Sequence, residues 1–279
     1  MENLVSTTLY IIILISCLGI IALLIYQPKL RKNRRNEIRT NDFSKEWEYK
    51  LNTHWPLYRR LPDLLKQNLK ERINLFLSEK QFIGCNGFEV SDDHKLFIAA
   101  QACLLIINKP FEYFDKLHTL LIYPSAFIVE HNQLLANGTI SEARNINTGE
   151  AWETGKIVLS WNDAFSGMID ITDGHNVVFH EFAHLLDHTN GSANGAPLLQ
   201  HASNYEHWSR TFSIAFDRLQ HSLNNGHQNV FDPYGATNPG EFFAVVSELF
   251  FEQSKLFQRH EPELHQQLVK FYAVDPALW

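Results

Sequence analysis

The segment Val177–Asp187 constrains the fold of this chain most strongly, because it places two histidines and a glutamate inside an otherwise apolar run. The motif H-E-x-x-H spans His180 to His184, and positions four apart lie on one face of an α-helix. Both imidazoles can therefore reach one zinc ion, with Glu181 beside them as a base for a metal-activated water. Because so short a pattern also arises by chance, other parts of the sequence must support it.

A third ligand must come from elsewhere, because catalytic zinc usually has three protein ligands and one open position. His188 is excluded in a continuous helix, since it would lie about 12 Å along the axis from His180 while Zn–N bonds are about 2 Å. Glu241 is the better candidate, because it lies in an apolar segment that we predict to be a helix over residues 239–257. A helix-capping role is the alternative for Glu241, and the residues alone leave both open.

Two further residues are candidates for the same site. Tyr234 precedes Glu241 by seven residues at a predicted turn, where its phenol could donate to the oxyanion of a tetrahedral intermediate. The alternative for Tyr234 is that its ring only packs within a loop. Asp187, which would lie one helical turn beyond His184, is an alternative ligand or a carboxylate that supports a ligand.

The N-terminal part of the chain predicts a membrane anchor. Residues 8–26 form an uncharged run, which would extend roughly 28 Å as a helix and so match the hydrocarbon thickness of a bilayer. No basic residue precedes the run and no small-x-small cleavage site follows it, so a signal peptide fits less well. Five basic residues follow within residues 29–35. We therefore expect a single-pass anchor over residues 1–28 in the inner membrane, with the main domain in the cytoplasm.

Charge and cysteine content restrict the functions that are possible for the chain beyond residue 35. The chain has 24 basic and 31 acidic residues, and residues 1–35 hold five of the basic residues and one acidic residue. The rest therefore has an excess of 11 acidic residues, which argues against direct nucleic-acid binding. Residues 29–44 are predicted to be a basic juxtamembrane linker, which either touches anionic lipid or only sets topology. The three cysteines include no C-x-x-C pair, so we expect a reducing compartment.

The order of predicted elements indicates one α+β domain over residues 45–279. Helices are predicted near residues 64–77, 94–108, 204–223 and 239–257. Strands are predicted at residues 117–123, 127–130 and 156–161, a loop at 137–149, and turns at 166–167 and 172–174. No βαβ alternation and no internal repeat is recognisable in this order. The strand at 156–161 could pair with extended substrate.

Several short segments resemble one family of bacterial proteins. They are residues 98–103, 123–124, 149–150 with Trp152, 159–161, 176–178 leading into the H-E-x-x-H motif, 186–187, 194–195, 234–236 and 238–245. In this order, from about residue 55 to the C-terminus, they resemble the Mlc titration factor A family of glucose-regulated zinc peptidases. The resemblance implies a gluzincin-like fold, similar to the catalytic domain of anthrax lethal factor.

The resemblance also implies roles for individual residues. His180, His184 and Glu241 would bind one zinc ion, Glu181 would be the base, and Tyr234 would pair with Glu241 as in that fold. Thermolysin-like enzymes have a supporting carboxylate one turn after the ligand glutamate, where this chain has Val245. Asp187 or Glu248 would then take that role. The predicted membrane anchor is a second departure from the family.

These observations predict a zinc peptidase, with aminopeptidase-like cleavage implied by the resemblance and peptides or proteins as substrates. The alternative is a regulatory protein that sequesters a transcriptional repressor, as the family name implies. Glu181 argues for catalysis, because a scaffold has no use for a base. A purely structural zinc site is disfavoured, because such sites are usually four-coordinate and rich in cysteine.

Overall fold

A computed structural model of the chain describes residues 2–125, 155–191 and 193–279. The strand predicted at residues 127–130, the loop at 137–149 and the matching segment at 149–152 lie outside these residues. The chain divides into two units, Met1–Asp42 and Phe43–Trp279. The second unit thus begins two residues before the domain start predicted from the sequence.

The first unit is one long helix, α1, which spans Glu2–Arg39. Within it, Ile13–Arg39 is long and apolar enough to cross a membrane by length and composition. Large side chains such as Ile13, Leu18 and Leu24 are at least half exposed. The helix continues through Pro28, which removes one backbone N–H but does not end it. The segment 29–44, expected as a linker, is therefore helical as far as Arg39.

The second unit is a mixed, helix-dominated fold. Its helices are α2 (Lys45–His54), α3 (Pro56–Arg60), α4 (Asp63–Glu79), α5 (Asp92–Leu105), α6 (Trp161–Ile169), α7 (Val177–Asp187), α8 (Asn204–Asn224), α9 (Pro239–Glu252), α10 (Ser254–His260) and α11 (Pro262–Tyr272). Short 3₁₀ turns occur at Phe111–Phe114, His188–Asn190, Pro233–Ala236 and Pro276–Leu278. The predicted helices near 64–77, 94–108 and 204–223 are confirmed, and their ends differ from the prediction by at most three residues.

A small parallel sheet accompanies the helices. Its strands are β1 (Gln81–Gly84), β2 (Thr119–Tyr123) and β3 (Lys156–Ser160), in the order β1-β2-β3. Helix α5 connects β1 to β2, so these elements form a βαβ crossover and the expectation of no such unit is wrong. The sequence concealed β1, because it is short and mostly exposed and lacks an alternating apolar pattern. At Gly84 the chain turns so sharply that a Cβ would lie 1.7 Å from the carbonyl oxygen of Phe88.

Two other local predictions are wrong. Ser166 and Gly167 lie inside α6 rather than at a turn, and Gly167 is required because a Cβ there would lie 2.9 Å from the Cα of Asn176. The helix predicted over 239–257 is two helices, α9 and α10, which are separated at Gln253. The side chain of Gln253 donates a hydrogen bond to the carbonyl oxygen of Thr172 at 2.5 Å, which fixes this break against the segment before α7.

Helix α7 lies in the core of the second unit, in contact with α5, α6, α9 and β3. On one side Phe182 packs edge-on or tilted against Phe76 and Phe114. On another side Phe179 packs against Phe251 of α9. Burial of these rings stabilises α7 by roughly 2–3 kcal/mol for each ring. The core therefore holds α7 rigidly, and with it the side chains of the H-E-x-x-H motif.

Candidate metal centre

The helix that carries the H-E-x-x-H motif has the bounds predicted from the sequence, Val177–Asp187. It begins at Asn176, whose side-chain oxygen accepts a hydrogen bond from the backbone N–H of Phe179 at 3.0 Å. It ends in the 3₁₀ turn His188–Asn190, before Gly191 with φ of 102°. His188 belongs to this turn and is not part of the described His/Glu cluster that could hold a metal.

Helix α9 contributes Glu241 to the same place. Asn238 caps α9 by accepting a hydrogen bond from the backbone N–H of Glu241 at 3.0 Å, and Pro239 occupies the first turn. Glu241 therefore lies in the first turn, as the capping alternative required. Its side chain, however, points to the two histidines of α7, which packs against α9.

Three ligand-type atoms converge in this cluster. Oε2 of Glu241 lies 3.0 Å from Nε2 of His180 and 3.2 Å from Nε2 of His184. The two Nε2 atoms are 3.2 Å apart. Ligands of a tetrahedral zinc ion with bonds of about 2.05 Å are separated by about 3.3 Å, so the three distances match such a coordination shell closely.

The chemistry of this donor set is compatible with a bound cation. Burial disfavours the charged form of His180, but hydrogen bonds to Glu241 and Glu248 outweigh it and raise the pKa of His180 to about 10. Burial also opposes ionisation of Glu241, yet hydrogen bonds from His180 and His184 lower the pKa of its carboxyl to about 2. The protein groups thus hold a proton between them, and a metal ion would take its place. Two imidazoles and one ionised carboxylate fit a divalent metal ion.

Glu248, one of the two carboxylates proposed to support the site, contacts a candidate ligand. Its Oε1 lies 2.7 Å from Nδ1 of His180, so Nδ1–H donates, and in the neutral imidazole the lone pair of Nε2 would be available to a metal ion. Its Oε2 accepts a hydrogen bond from the backbone N–H of Asn176 at 2.5 Å. Asp187, the other proposed carboxylate, is fully buried and instead accepts a hydrogen bond from the backbone N–H of Gly195 at 2.7 Å.

Glu181 and Tyr234, the two candidate catalytic residues, both lie within electrostatic reach of the cluster. Glu181 is almost fully buried, and burial raises its pKa while the charges of His180 and His184 lower it less. Tyr234 is half exposed, and its ring centroid lies 6.0 Å from that of His180. Burial, with the nearby charges of Glu241 and Glu181, raises the pKa of Tyr234.

A cavity of about 410 Å³ opens beside the cluster. It is lined by His180, Tyr234 and Glu248 from the cluster side. The other lining residues include three aspartates, Asp163, Asp173 and Asp232. These three aspartates make part of the cavity lining, here called the acidic wall, negatively charged.

The sequence prediction missed a buried polar network at the start of α7. The side-chain amide of Asn176 donates to Oε1 of Gln101 at 2.9 Å, to the carbonyl oxygen of Gly167 at 3.0 Å and to Oε1 of Glu252 at 3.1 Å. Gln101 is fully buried in α5. The capping position of Asn176 was a recognisable signal, because asparagine is favoured there. Gln101 and Glu252 had no such signal.

Comparison with known proteins places these residues in context. The model of the protein family described as glucose-regulated metallo-peptidase M90 matches residues 29–273. An uncharacterized protein of Synechocystis sp. is 38% identical over 268 residues, which are 96% of this chain and 98% of that protein. Proteins named Mlc titration factor A are 34% identical in Cronobacter sakazakii (80% of this chain, 84% of that protein) and 33% in Klebsiella pneumoniae strain MGH 78578 (79% and 83%).

Proposed function

The chain belongs to the family of glucose-regulated metallo-peptidases M90, and from this premise we propose that it is a zinc-dependent peptidase with a gluzincin-like site. One observation carries the proposal. Nε2 of His180, Nε2 of His184 and Oε2 of Glu241 lie 3.0–3.2 Å from one another. These separations support the proposal, because they suit three protein ligands of a catalytic zinc ion that keeps one position open.

Glu181 is proposed as the general base for hydrolysis. Bound zinc would polarise the scissile carbonyl and lower the pKa of a water molecule toward 7. As the water oxygen forms a bond to the carbonyl carbon, the carboxylate of Glu181 accepts one water proton. Glu181 then delivers this proton to the amide nitrogen as the C–N bond breaks, so that a free amine leaves. Its raised pKa makes the carboxylate a stronger base for the first of these transfers.

Tyr234 is proposed to stabilise the oxyanion that forms in this step. Its ring lies beside that of His180, and it lines the same cavity. The raised pKa keeps the phenol protonated at neutral pH, so it can donate a hydrogen bond to the oxyanion. A Tyr234→Phe variant with unchanged kcat would exclude this role.

The acidic wall of the cavity supports an aminopeptidase-like activity. Asp163 and Asp173 are exposed carboxylates, and Oδ2 of Asp232 lies 3.4 Å from Nε2 of His175. A free N-terminal ammonium group carries the charge that such a wall attracts. We therefore propose that the chain cleaves near a free amino terminus rather than inside a long peptide.

Strand β3 is proposed to bind the backbone of the substrate. Among the described residues β3 pairs only with β2, and it contacts α7. An extended peptide could add to the other edge of β3 through backbone hydrogen bonds. This placement would bring the peptide past the motif helix.

We also propose that α1 anchors the peptidase in the inner membrane, with its N-terminus outside and the second unit in the cytoplasm. The apolar part of α1 precedes the basic residues at 29–35, and this order favours a cytoplasmic flank. The match to the Synechocystis protein covers 96% of this chain and so extends into α1. Protease accessibility of the second unit in sealed inner-membrane vesicles would test this orientation.

A pair of histidine variants of the full chain tests the proposed function. His184→Ala removes a ligand atom and should abolish most zinc binding and peptidase activity. His188→Ala, one turn later and outside the cluster, is the matched control and should keep both. Zinc content and cleavage of amino-acid anilides measure the two effects. Equal losses in both variants would refute the ligand assignment.

The name of the relatives suggests a second partner. Relatives named Mlc titration factor A are about one third identical to this chain, so a transcriptional repressor is a proposed binding partner in addition to peptide substrates. We rank repressor binding below catalysis, because Glu181 lies beside a complete set of three ligand atoms. Absence of binding to an Mlc-like repressor in a pull-down with the full chain would exclude this partner.

A further inference from the structure

A second cavity of about 350 Å³ lies apart from the candidate metal centre and shares no lining residue with the cavity beside it. Its walls come from residues 198–200, from the start of α8, from α11 and from Lys109, which follows α5. Neither the family nor the proposed peptidase activity gives this cavity a role. Its volume is within the range of small-molecule binding sites.

Lys109 is the unusual group in this cavity. It is only 6% exposed, and its Nζ lies 3.9 Å from the ring centroid of Phe271 and 4.9 Å from that of Tyr113. Within the described part of the chain, no carboxylate or hydrogen-bond acceptor contacts this ammonium group. Burial lowers the pKa of Lys109 to about 8, so the group is still mostly protonated at pH 7. The side chain is largely buried, but Nζ remains accessible from the cavity, where an anion can supply the acceptor that the described residues do not.

Another buried lysine shows how this chain satisfies such a group when no ligand is needed. Lys80 is 7% exposed, much like Lys109. Its Nζ donates to the carbonyl oxygens of Phe114 at 2.6 Å and of Leu117 at 2.8 Å. Lys109 has two aromatic rings and the cavity where Lys80 has carbonyl oxygens.

The other polar groups of the cavity also favour an anion. Lys270 adds a second, exposed ammonium group, and Asn204 and His207 belong to the first turns of α8. The N-terminus of a helix carries a partial positive charge, and the Ser203 cap makes no side-chain hydrogen bond to it. Among the described residues that line the cavity there is no aspartate or glutamate. This absence is informative, because the second unit as a whole has an excess of acidic residues.

We propose that this cavity binds a small soluble anion whose phosphate or carboxylate group pairs with the ammonium group of Lys109. Lys270 and the start of α8 contribute to the same positive potential. Leu198, Trp208 and Phe271 form an apolar part of the wall, which suits the remainder of a small organic molecule. The inference does not depend on the peptidase activity, because it concerns binding at a separate cavity.

Calorimetric titration of the full chain tests this inference, with inorganic phosphate and acetate as separate probes. We expect saturable binding of at least one probe, and the tighter probe identifies the favoured group. Lys109→Met removes the charge but keeps most of the side-chain volume, and it should weaken binding about tenfold or more. Lys270→Met should weaken binding less. Lys116→Met, an exposed lysine that does not line the cavity, is the matched control and should leave affinity unchanged.

The inference fails if neither probe binds saturably to the wild-type chain. It fails equally if Lys109→Met and Lys116→Met bind the anion alike, which would mean that only overall charge matters. Thermal melting shows whether Lys109→Met is folded. If it is not, Lys270→Met decides, because that side chain is exposed and its loss should not disturb the core. Unchanged affinity in a folded Lys270→Met variant would then overturn the inference.

Discussion

Helix α7 has buried polar groups in two regions, and the two regions are organised differently. At its start, the amide of Asn176 faces acceptor atoms of Gln101 and Glu252. One turn later, Nε2 of His180 faces Nε2 of His184 and a carboxylate oxygen. The first region pairs donors with acceptors, while the second brings acceptor-type atoms together. Buried polar groups of the first kind stabilise a fold, and groups of the second kind need a positive charge between them, either the proton held in this cluster or a metal ion.

Glu248 belongs to both regions. One of its carboxylate oxygens contacts His180 at 2.7 Å and the other accepts a hydrogen bond from the backbone of Asn176. Through this single side chain, the cap of α7 also orients a candidate ligand. The comparison therefore predicts that changes to Glu248 alter metal binding, whereas changes confined to the capping network alter stability.

The largest effect on metal binding in this comparison is expected for Glu248→Gln. The amide keeps the size of the side chain and can still accept a hydrogen bond from Nδ1–H of His180, but it loses the negative charge. Loss of such a supporting carboxylate typically lowers metal affinity about 10- to 100-fold. Competition with a chelator measures the zinc affinity of the full chain. Unchanged zinc affinity would show that Glu248 does not connect the cap of α7 to metal binding.

A separate effect, on stability and not on metal binding, is expected for Glu252→Gln. Burial raises the pKa of Glu252 from 4.5 to about 9, so folding favours the neutral carboxyl. The stability from this group is fully present below pH 4.5 and is lost as pH rises toward 9, by at most about 1.4 kcal/mol per pH unit. Glutamine cannot ionise, so the variant should gain stability relative to wild type between pH 5 and pH 9.

Urea midpoints of both full chains at pH 5 and pH 9 measure this difference. The zinc affinity of Glu252→Gln should stay at the wild-type value, which makes this variant the control for Glu248→Gln. A stability difference that is independent of pH would show that Glu252 is already ionised in the folded protein.

The bounds of α7 could be predicted because all their signals are local. The apolar periodicity, the Asn176 cap and Gly191 lie within 16 residues. Local patterns did not fix the third ligand, because Glu241 lies 57 residues from His184 along the chain. The choice of Glu241 over a mere cap came from the resemblance to a family. The fold then places its carboxylate beside the histidines by packing α9 on α7.

The remaining features depend on contacts between distant segments. From the sequence, Gln101 is only a polar residue within the apolar helix α5. Its burial is explained by its contact with Asn176, 75 residues away along the chain. From the sequence, Lys109 would be expected to be an ordinary surface lysine. In the structure it lines a cavity together with α8, α11 and residues 198–200. Strand β1 has too few residues and too little burial to show a period. In each case the signal comes from the partner rather than from the neighbouring sequence.

The central claim is that this cluster hydrolyses peptides with Glu181 as the base. The most direct test is kcat measured together with zinc content in Glu181→Gln of the full chain, because glutamine keeps the shape of the residue and leaves the ligand atoms untouched. The claim predicts about one zinc per chain and a kcat lower by about 100-fold or more, given the usual contribution of a general base. A variant that retains both zinc and the wild-type kcat would contradict it.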